Sequence, residues 1–340
     1  MSAEESCAAG GSIKVDDDIK AAESRDEILF KQPESSVEIT CCASCGVAGG
    51  DDIKLKDCTA CHLVKYCGIE CQRSHWRQHK KECKKRAAEL RDEILFKQPE
   101  SSHYGDCPIC CLPLSLIMEN RGFMTCCCKM ICTGCCHAYQ RREKEGRLGH
   151  KCPFCRQTLP KSPEDMKINL MKRLEANDPF ALCHLGVTHC KEGDYKKAFQ
   201  YWTKAAELDD IDAHYNLSIM YRDGQGVEKD TKKELYHLEK AAIGGHADAR
   251  YNLGQFEGNS KRSDRAIKHW IIAANMGHDE SLELLKKNYA SGYVSKDDFA
   301  AALRGHHAAV KATKSPEREE EEAVRQKRAE REASRAARRK

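Results

Sequence analysis

Side chains suited to a large hydrophobic core are scarce in this chain. Aromatic residues make up 6% of its 340 positions, and only three of them are tryptophan. One large interior is thereby excluded, so any cores must be small or repetitive. The length allows two or three domains. Long apolar runs are missing too. The longest, Leu112 to Met118, is broken by Pro113 and Ser115, far short of the ~20 apolar residues of a membrane-spanning helix. No membrane span is expected. The N-terminal Met-Ser-Ala-Glu-Glu has no basic stretch followed by an apolar one, so no secretory signal is expected either. A net charge of +4 selects no class of partner.

Cysteine is what the chain has in excess: 22 residues, twenty of them before residue 160. Most fall in C-x2-C and C-x3-C pairs. Two cysteines three apart in a tight turn can aim both thiolates at one tetrahedral zinc, with Zn–S near ~2.3 Å. The same pair rarely reaches disulfide geometry without strain. The spacing predicts a first half that folds around metal. Abundant thiolate ligands point to a reducing compartment, the cytosol or nucleus.

The first string is Cys42-x2-Cys45, Cys58-x2-Cys61, Cys67-x3-Cys71 and His79-x3-Cys83. Eight ligands make two closed four-ligand sites, which are structural because no position is left for a catalytic water. With Tyr66 before Cys67, Gln72 after Cys71, and His75-Trp76 before His79, the string resembles the MYND finger over residues 41–83. That resemblance implies interleaved ligands: Cys42, Cys45, Cys67 and Cys71 on one zinc, and Cys58, Cys61, His79 and Cys83 on the other. It also implies a groove for proline-rich peptides lined by Gln72 and Trp76, since an indole face stacks on pre-organised polyproline. The basic group from Arg73 to Arg86 reads as a solvated helix face, and nucleic acid is not an expected partner.

The second string is Cys107-Pro-Ile-Cys110, the run Cys126-Cys127-Cys128, Cys132-x2-Cys135, and Cys152-Pro-Phe-Cys155. It resembles a RING finger, placed at 107–160. The resemblance implies cross-bracing, with Cys107, Cys110, Cys132 and Cys135 on one zinc. Cys152, Cys155 and two of the three run cysteines would hold the other. The chain departs from the family here, because Lys129 stands in the usual histidine slot if Cys127 takes the cysteine before it. Cys126 with Cys128 is a second choice, and the sequence does not select. About four zinc ions per chain follow from the two strings. RING domains commonly act as ubiquitin ligases by gripping a ubiquitin-conjugating enzyme and ordering its ubiquitin, which is catalysis by positioning. By that resemblance Ile109 and Pro153 would contact the conjugating enzyme, and Arg156 would bridge it to ubiquitin. No residue would act covalently. Tyr139 is the nearest match to the helix tryptophan often found in active ligases.

From Asp178 the periodicity is helical. Leu185-Gly186, Leu217-Ser218, Leu253-Gly254 and Leu285-Lys286 recur at offsets of 32, 36 and 32, and Ala205-Ala206, Ala241-Ala242 and Ala273-Ala274 at 36 and 32. Such a period marks stacked helix pairs. Four pairs are enough for a continuous core, and small alanines suit the close crossings. Gly224-Gln-Gly226-Val227 with Asp230, then Ala241-Ala242 and Gly245, resembles Sel-like repeats of the tetratricopeptide type over residues 178–310. The resemblance implies a surface for a protein partner. In this reading Gly224 and Gly226 turn between paired helices and Asp230 caps the second.

Two further features frame these modules. Residues 21–36, AAESRDEILFKQPESS, recur at 87–102 as AAELRDEILFKQPESS, with one difference in sixteen. Each copy reads as a short helix ending before its proline. The first sits in a leader, 1–40, expected to be disordered outside that helix, and the second in a linker helix at 84–106. The tail, 311–340, is expected to be disordered: its residues 325–340 carry a net +6 and no apolar face. The fold class expected is small zinc-stabilised modules, MYND and cross-braced RING-like, followed by an all-α helical-repeat solenoid. The function expected is a RING-type ubiquitin ligase or ligase subunit, with the MYND finger and repeats recruiting the substrate protein. The alternative is a non-enzymatic adaptor for proline-rich partners.

Overall fold

The computed structural model describes residues 40–146 and 149–338. The first copy of the duplicated segment, and nearly all of the 1–40 leader, lie outside these residues. The chain divides into two compact units at Ala87/Ala88.

In the first unit a short hairpin, β1 (Lys56–Asp57) with β2 (Lys65–Tyr66), precedes helix α1 (Ile69–Leu95). Its interior is made of cysteines: Cys42, Cys58, Cys61 and Cys83 are buried with Tyr66, and Leu55, Val64 and Cys71 pack on them. The separate linker helix expected at 84–106 is corrected. Helix α1 runs unbroken from 69 to 95 because residues 84–95 contain neither glycine nor proline, and lysine, arginine, alanine, glutamate and leucine sustain a helix. Residues 97–106 that follow are not helical.

The second unit holds the second cysteine module, the helical repeats and a terminal helix. In the module, β3 (Arg121–Met124) pairs antiparallel with β4 (Lys129–Cys132), and Cys126 to Cys128 form the turn between them. Helix α2 (Thr133–Lys144) starts directly after β4, with the Cys132 side chain as its N-cap. A capped helix, α3 (Pro163–Glu175), leads into the repeats.

Four antiparallel pairs follow: α4 (Pro179–Lys191) with α5 (Tyr195–Ala206), α6 (Ile211–Asp223) with α7 (Thr231–Ile243), α8 (Ala247–Asn259) with α9 (Ser263–Asn275), and α10 (Asp279–Ala290) with α11 (Lys296–Ala312). Asp178, Asp194, Asp210 and Asp230 cap helix N-termini with their carboxylates, satisfying backbone donors that have no intrahelical partner. Gly224 and Gly226 both have positive φ in the α6–α7 turn. The recurrent alanines are the crossing points, with Ala205, Ala241 and Ala273 fully buried.

The leucine-glycine pairs have a sharper meaning. A Cβ on Gly186 would lie 2.4 Å from Trp202 Nε1, and one on Gly254 would lie 2.3 Å from Trp270 Nε1. In these two repeats the indole lies against the partner helix backbone, and Trp202 donates to the Cys183 carbonyl at 3.1 Å. The second repeat has Ser218 on the first helix and Leu238, not tryptophan, as its large buried residue on the second. Small and large residues are thus matched repeat by repeat.

The expectation of a disordered tail is also corrected. Helix α12 (Pro316–Ala337) packs on α2. Arg318 donates to the carbonyls of Leu112, Pro113 and Thr313 and to Cys110 Sγ. Arg325 donates to the Glu119 carbonyl and to Asn120 Oδ1, both at 2.6 Å. Arg141 pairs with Glu320 at 2.9 Å. An apolar face is unnecessary where guanidinium groups donate to the backbone carbonyls of a loop.

Candidate metal centres and protein-binding surfaces

Four of the five C-x2-C pairs form the same turn, while the fifth, Cys132-x2-Cys135, opens helix α2. The residue after the second cysteine has positive φ in all four: Gly46 (76°), His62 (55°), Cys111 (55°) and Arg156 (62°). Its N–H returns to the carbonyl of the first cysteine, at 2.9, 2.9, 2.8 and 3.0 Å in the same order. The thiol of the first cysteine faces backbone N–H groups of the turn, and these favour the thiolate. The Cys45 N–H is the main reason that the Cys42 pKa falls to about 6. Burial works against ionisation of Cys107, but the N–H groups of Cys110, Cys132 and Ile109 outweigh it and bring the pKa to about 7. Cys58 and Cys152 are lowered by the same competition. Burial, with His75 adding to it, lowers the His79 pKa, which keeps the ring neutral and its nitrogen free to ligate.

Four groups of side chains are gathered, each with all ligand atoms within 4.8 Å of one another. They are Cys42, Cys45, Cys67 and Cys71; Cys58, Cys61, His79 and Cys83; Cys107, Cys110, Cys132 and Cys135; and Cys126, Cys127, Cys152 and Cys155. Tetrahedral zinc with Zn–S of ~2.3 Å sets sulfurs about 3.8 Å apart. The observed separations are 3.6 Å for Cys45–Cys67, 3.7 Å for Cys58–Cys83, 3.9 Å for Cys110–Cys132 and 3.7 Å for Cys127–Cys152. Cys61 Sγ and His79 Nε2 are 3.2 Å apart. The donor sets therefore fit zinc, which would act as a closed structural cross-link. In both modules the ligand pairs alternate along the chain.

The choice left open at 126–128 falls on Cys126 and Cys127. Cys128, which takes positive φ in the turn, lies outside the group. Cys111 and Cys136 are also outside the groups. Arg318 reaches Cys110 Sγ at 3.3 Å. A guanidinium there offsets part of the charge of four thiolates around one dication.

The partner-contact candidates lie as follows. Trp76 is 40% exposed on α1 and Gln72 is half-buried, while His75 is held by the Tyr66 hydroxyl at 3.1 Å. Ile109 is 43% exposed, Pro153 is half-buried and Arg156 is exposed. Tyr139 donates its hydroxyl to the carbonyls of Gly149 and Lys151.

Several side chains escaped the sequence reading. His246 and His278 occupy helix N-caps where earlier repeats use aspartate. Each then reaches an aspartate of the preceding repeat: His246 to Asp212 at 3.5 Å and His278 to Asp248 at 3.1 Å. His103 joins the first of these, 3.0 Å from Asp212 and stacked on His246. Although His103, Asp212 and His246 gather like ligands, His246 Nδ1 accepts the Ala249 N–H at 3.3 Å. That bond places the ring proton on Nε2, toward Asp212. The trio is a hydrogen-bonded clasp.

Residues 91–103, within the linker expected at 84–106, lie across α6 to α9. Leu95 is buried among Leu238, Ala241, Ala242, Ala249 and Leu253. Arg250, itself fully buried, donates to the carbonyls of Leu95 and Lys97. No single local pattern announces such long-range contacts. The duplication of the segment was the available signal.

Comparison with known proteins agrees with two of these modules. The MYND finger family matches residues 42–83, and the Sel1 repeat family matches 181–210, 211–246 and 247–278. HcpC of Helicobacter pylori is 41% identical over 56 residues in strain J99 and 42% over 52 residues in strain 26695. These alignments cover 16% and 15% of this chain, which spans about a fifth of the length of the curated relatives it matches. Among solved structures, a Sel1 repeat protein from Oxalobacter formigenes is 22% identical with a TM-score of 0.40, covering 52% of this chain and 71% of that one. The protective antigen c5321 of uropathogenic Escherichia coli strains, which displays an SLR fold, is 21% identical with a TM-score of 0.35, covering 56% and 43%. Among the described residues no helix is long and apolar enough to cross a membrane. With the paired helices and the ligand order already established, residues 42–83 are a MYND finger and residues 181–278 are three Sel1 repeats.

Proposed function

We propose that the chain is a protein-interaction adaptor whose second cysteine module is a RING-type domain, making it a ubiquitin ligase or ligase subunit that holds four zinc ions. The MYND finger and Sel1 repeats, modules that generally mediate protein–protein interaction, would recruit proline-rich and substrate proteins, with Gln72 and Trp76 on the peptide groove. The observation that carries the ligase reading is the pair of alternating cysteine groups framing α2, with Ile109 and Arg156 left exposed beside them. Such a module makes no covalent bond. It holds a ubiquitin-conjugating enzyme through Ile109 and Pro153 and orders its ubiquitin through Arg156, whose planar fork can donate several hydrogen bonds at once.

Ubiquitin discharge by full-length protein, run against a panel of conjugating enzymes, tests the reading. Ile109→Ala should weaken conjugating-enzyme binding. Arg156→Ala should leave binding nearly intact and slow discharge, since a bridge in the reactive arrangement acts on the barrier. A zinc-loaded wild-type chain that is inert with every conjugating enzyme would leave the non-enzymatic adaptor. One feature favours that second reading: where active ligases often carry tryptophan, Tyr139 stands with its hydroxyl already bonded to backbone carbonyls.

A further inference from the structure

The repeats present a groove already shaped to a peptide, and the chain carries that peptide twice. In the second copy Arg91 Nη2 lies 2.5 Å from both carboxylate oxygens of Glu239, and Asp92 pairs with Arg265. Leu95 fills the apolar floor. Phe96 packs on His269, centroids 4.7 Å apart, beneath the Arg265 guanidinium at 4.8 Å. Gln98 donates to the Ile272 carbonyl and accepts from Asn275. Arg250 receives the end of the helix by its carbonyls, where cations are favoured.

Arg250 and His269 are both fully buried in this groove, and Arg250 Nε and both His269 ring nitrogens have no hydrogen-bond partner. Two such groups on a repeat surface mark a site built to be covered.

Every side chain that reads the groove recurs in the first copy: Arg25, Asp26, Leu29, Phe30 and Gln32 stand where Arg91, Asp92, Leu95, Phe96 and Gln98 do. The charge order is the same, so the Glu239 and Arg265 pair is matched equally well. The copies part company after the second serine. His103, which donates its backbone N–H to the Gly245 carbonyl at 3.1 Å and clasps Asp212, corresponds to Val37.

We propose that the Sel1 groove is an exchangeable peptide site for the R-D-E-I-L-F-K-Q-P sequence, and that residues 21–36 of a second copy of the chain are its alternative occupant. Each chain offers two ligands and one groove. Exchange of a matching element between copies costs few contacts, which makes it an accessible route to dimers. Here the His103 clasp is what the incoming segment lacks, so it sets the balance toward the chain's own residues 91–103.

Light scattering of the full chain across a concentration series tests this. Wild type should be mainly monomeric. His103→Ala should shift toward twice the mass as concentration rises, and adding Phe30→Asp should return it to monomer. A folded His103→Ala chain that stays monomeric throughout, or a dimer that survives Phe30→Asp, would overturn the proposal. A labelled peptide of residues 21–36, titrated onto wild-type full chain, decides independently should His103→Ala fail to fold. Saturable binding is expected, at least tenfold weaker for the Phe30→Asp peptide. No binding, or equal binding by both peptides, overturns the proposal.

Discussion

The first unit and the repeats face the same shortage of large apolar residues and meet it differently. In the MYND finger, cysteines are the interior: four of the five buried residues of its core are ligands. In the repeats, alanines let helices touch and two tryptophans press the nitrogen-bearing edge of the indole against glycines. One region is organised by donor geometry around an ion, the other by matched side-chain size. The difference teaches that metal dependence here is a property of each module rather than of the chain.

Cys58→Ala should break that comparison at its strongest point. Because metal binding in such a module is folding free energy of about 10 kcal/mol or more, the MYND finger should unfold completely. Limited proteolysis should then cut within 42–83 while the repeats stay protected. Next in size is Gly186→Val. A side chain there must displace Trp202, and overpacking of this kind costs roughly 1–3 kcal/mol or more. The repeats should melt lower, the zinc content should not change, and combining it with Trp202→Leu should recover part of the loss, since the second repeat already pairs serine with leucine.

Acid should separate the regions further. Burial, then Arg250 and Arg265, lowers the His269 pKa to about 3, and burial, then His214, lowers that of His237 to about 4. The unfolded chain binds these protons near pH 6.5 and the folded chain does not, so stability falls as pH drops through that window. Asp210, raised to about 6 mainly by burial, works in the opposite direction between about pH 4 and 6. Two histidines against one carboxylate leave a net loss on acidification. His269→Phe should remove up to one proton of the slope, ~1.4 kcal/mol per pH unit, in denaturation measured from pH 7 to 4.5. The smallest effect concerns the C-x2-C turns. Arg156→Gly should stabilise the second module by about 1 kcal/mol, because glycine adopts the positive φ of that turn freely. Unchanged stability to thermal unfolding would mean that the turn does not strain the arginine.

Most members of the four gathered groups were readable because a C-x2-C turn is local: five residues of sequence contain the turn. The run at 126–128 was not, since the grouping of Cys126 and Cys127 depends on where the β3–β4 turn aims each thiol. The repeat register was carried by leucine and alanine spacing, but the pairing of Gly186 with Trp202 joins residues on different helices. The tail misled because its contacts run from arginine to backbone carbonyls, which leave no hydrophobic pattern. For the same reason the seating of residues 91–103 on the repeats could be suspected only from their duplication.

Native mass spectrometry of the full chain with its metals retained tests the central claim most directly. A chain carrying four zinc ions is expected, falling to none with chelator while circular dichroism keeps the helical signal and cooperative melt of the repeats. Three ions or fewer in the untreated protein, or loss of the repeats' helical melt together with the metal, would contradict it.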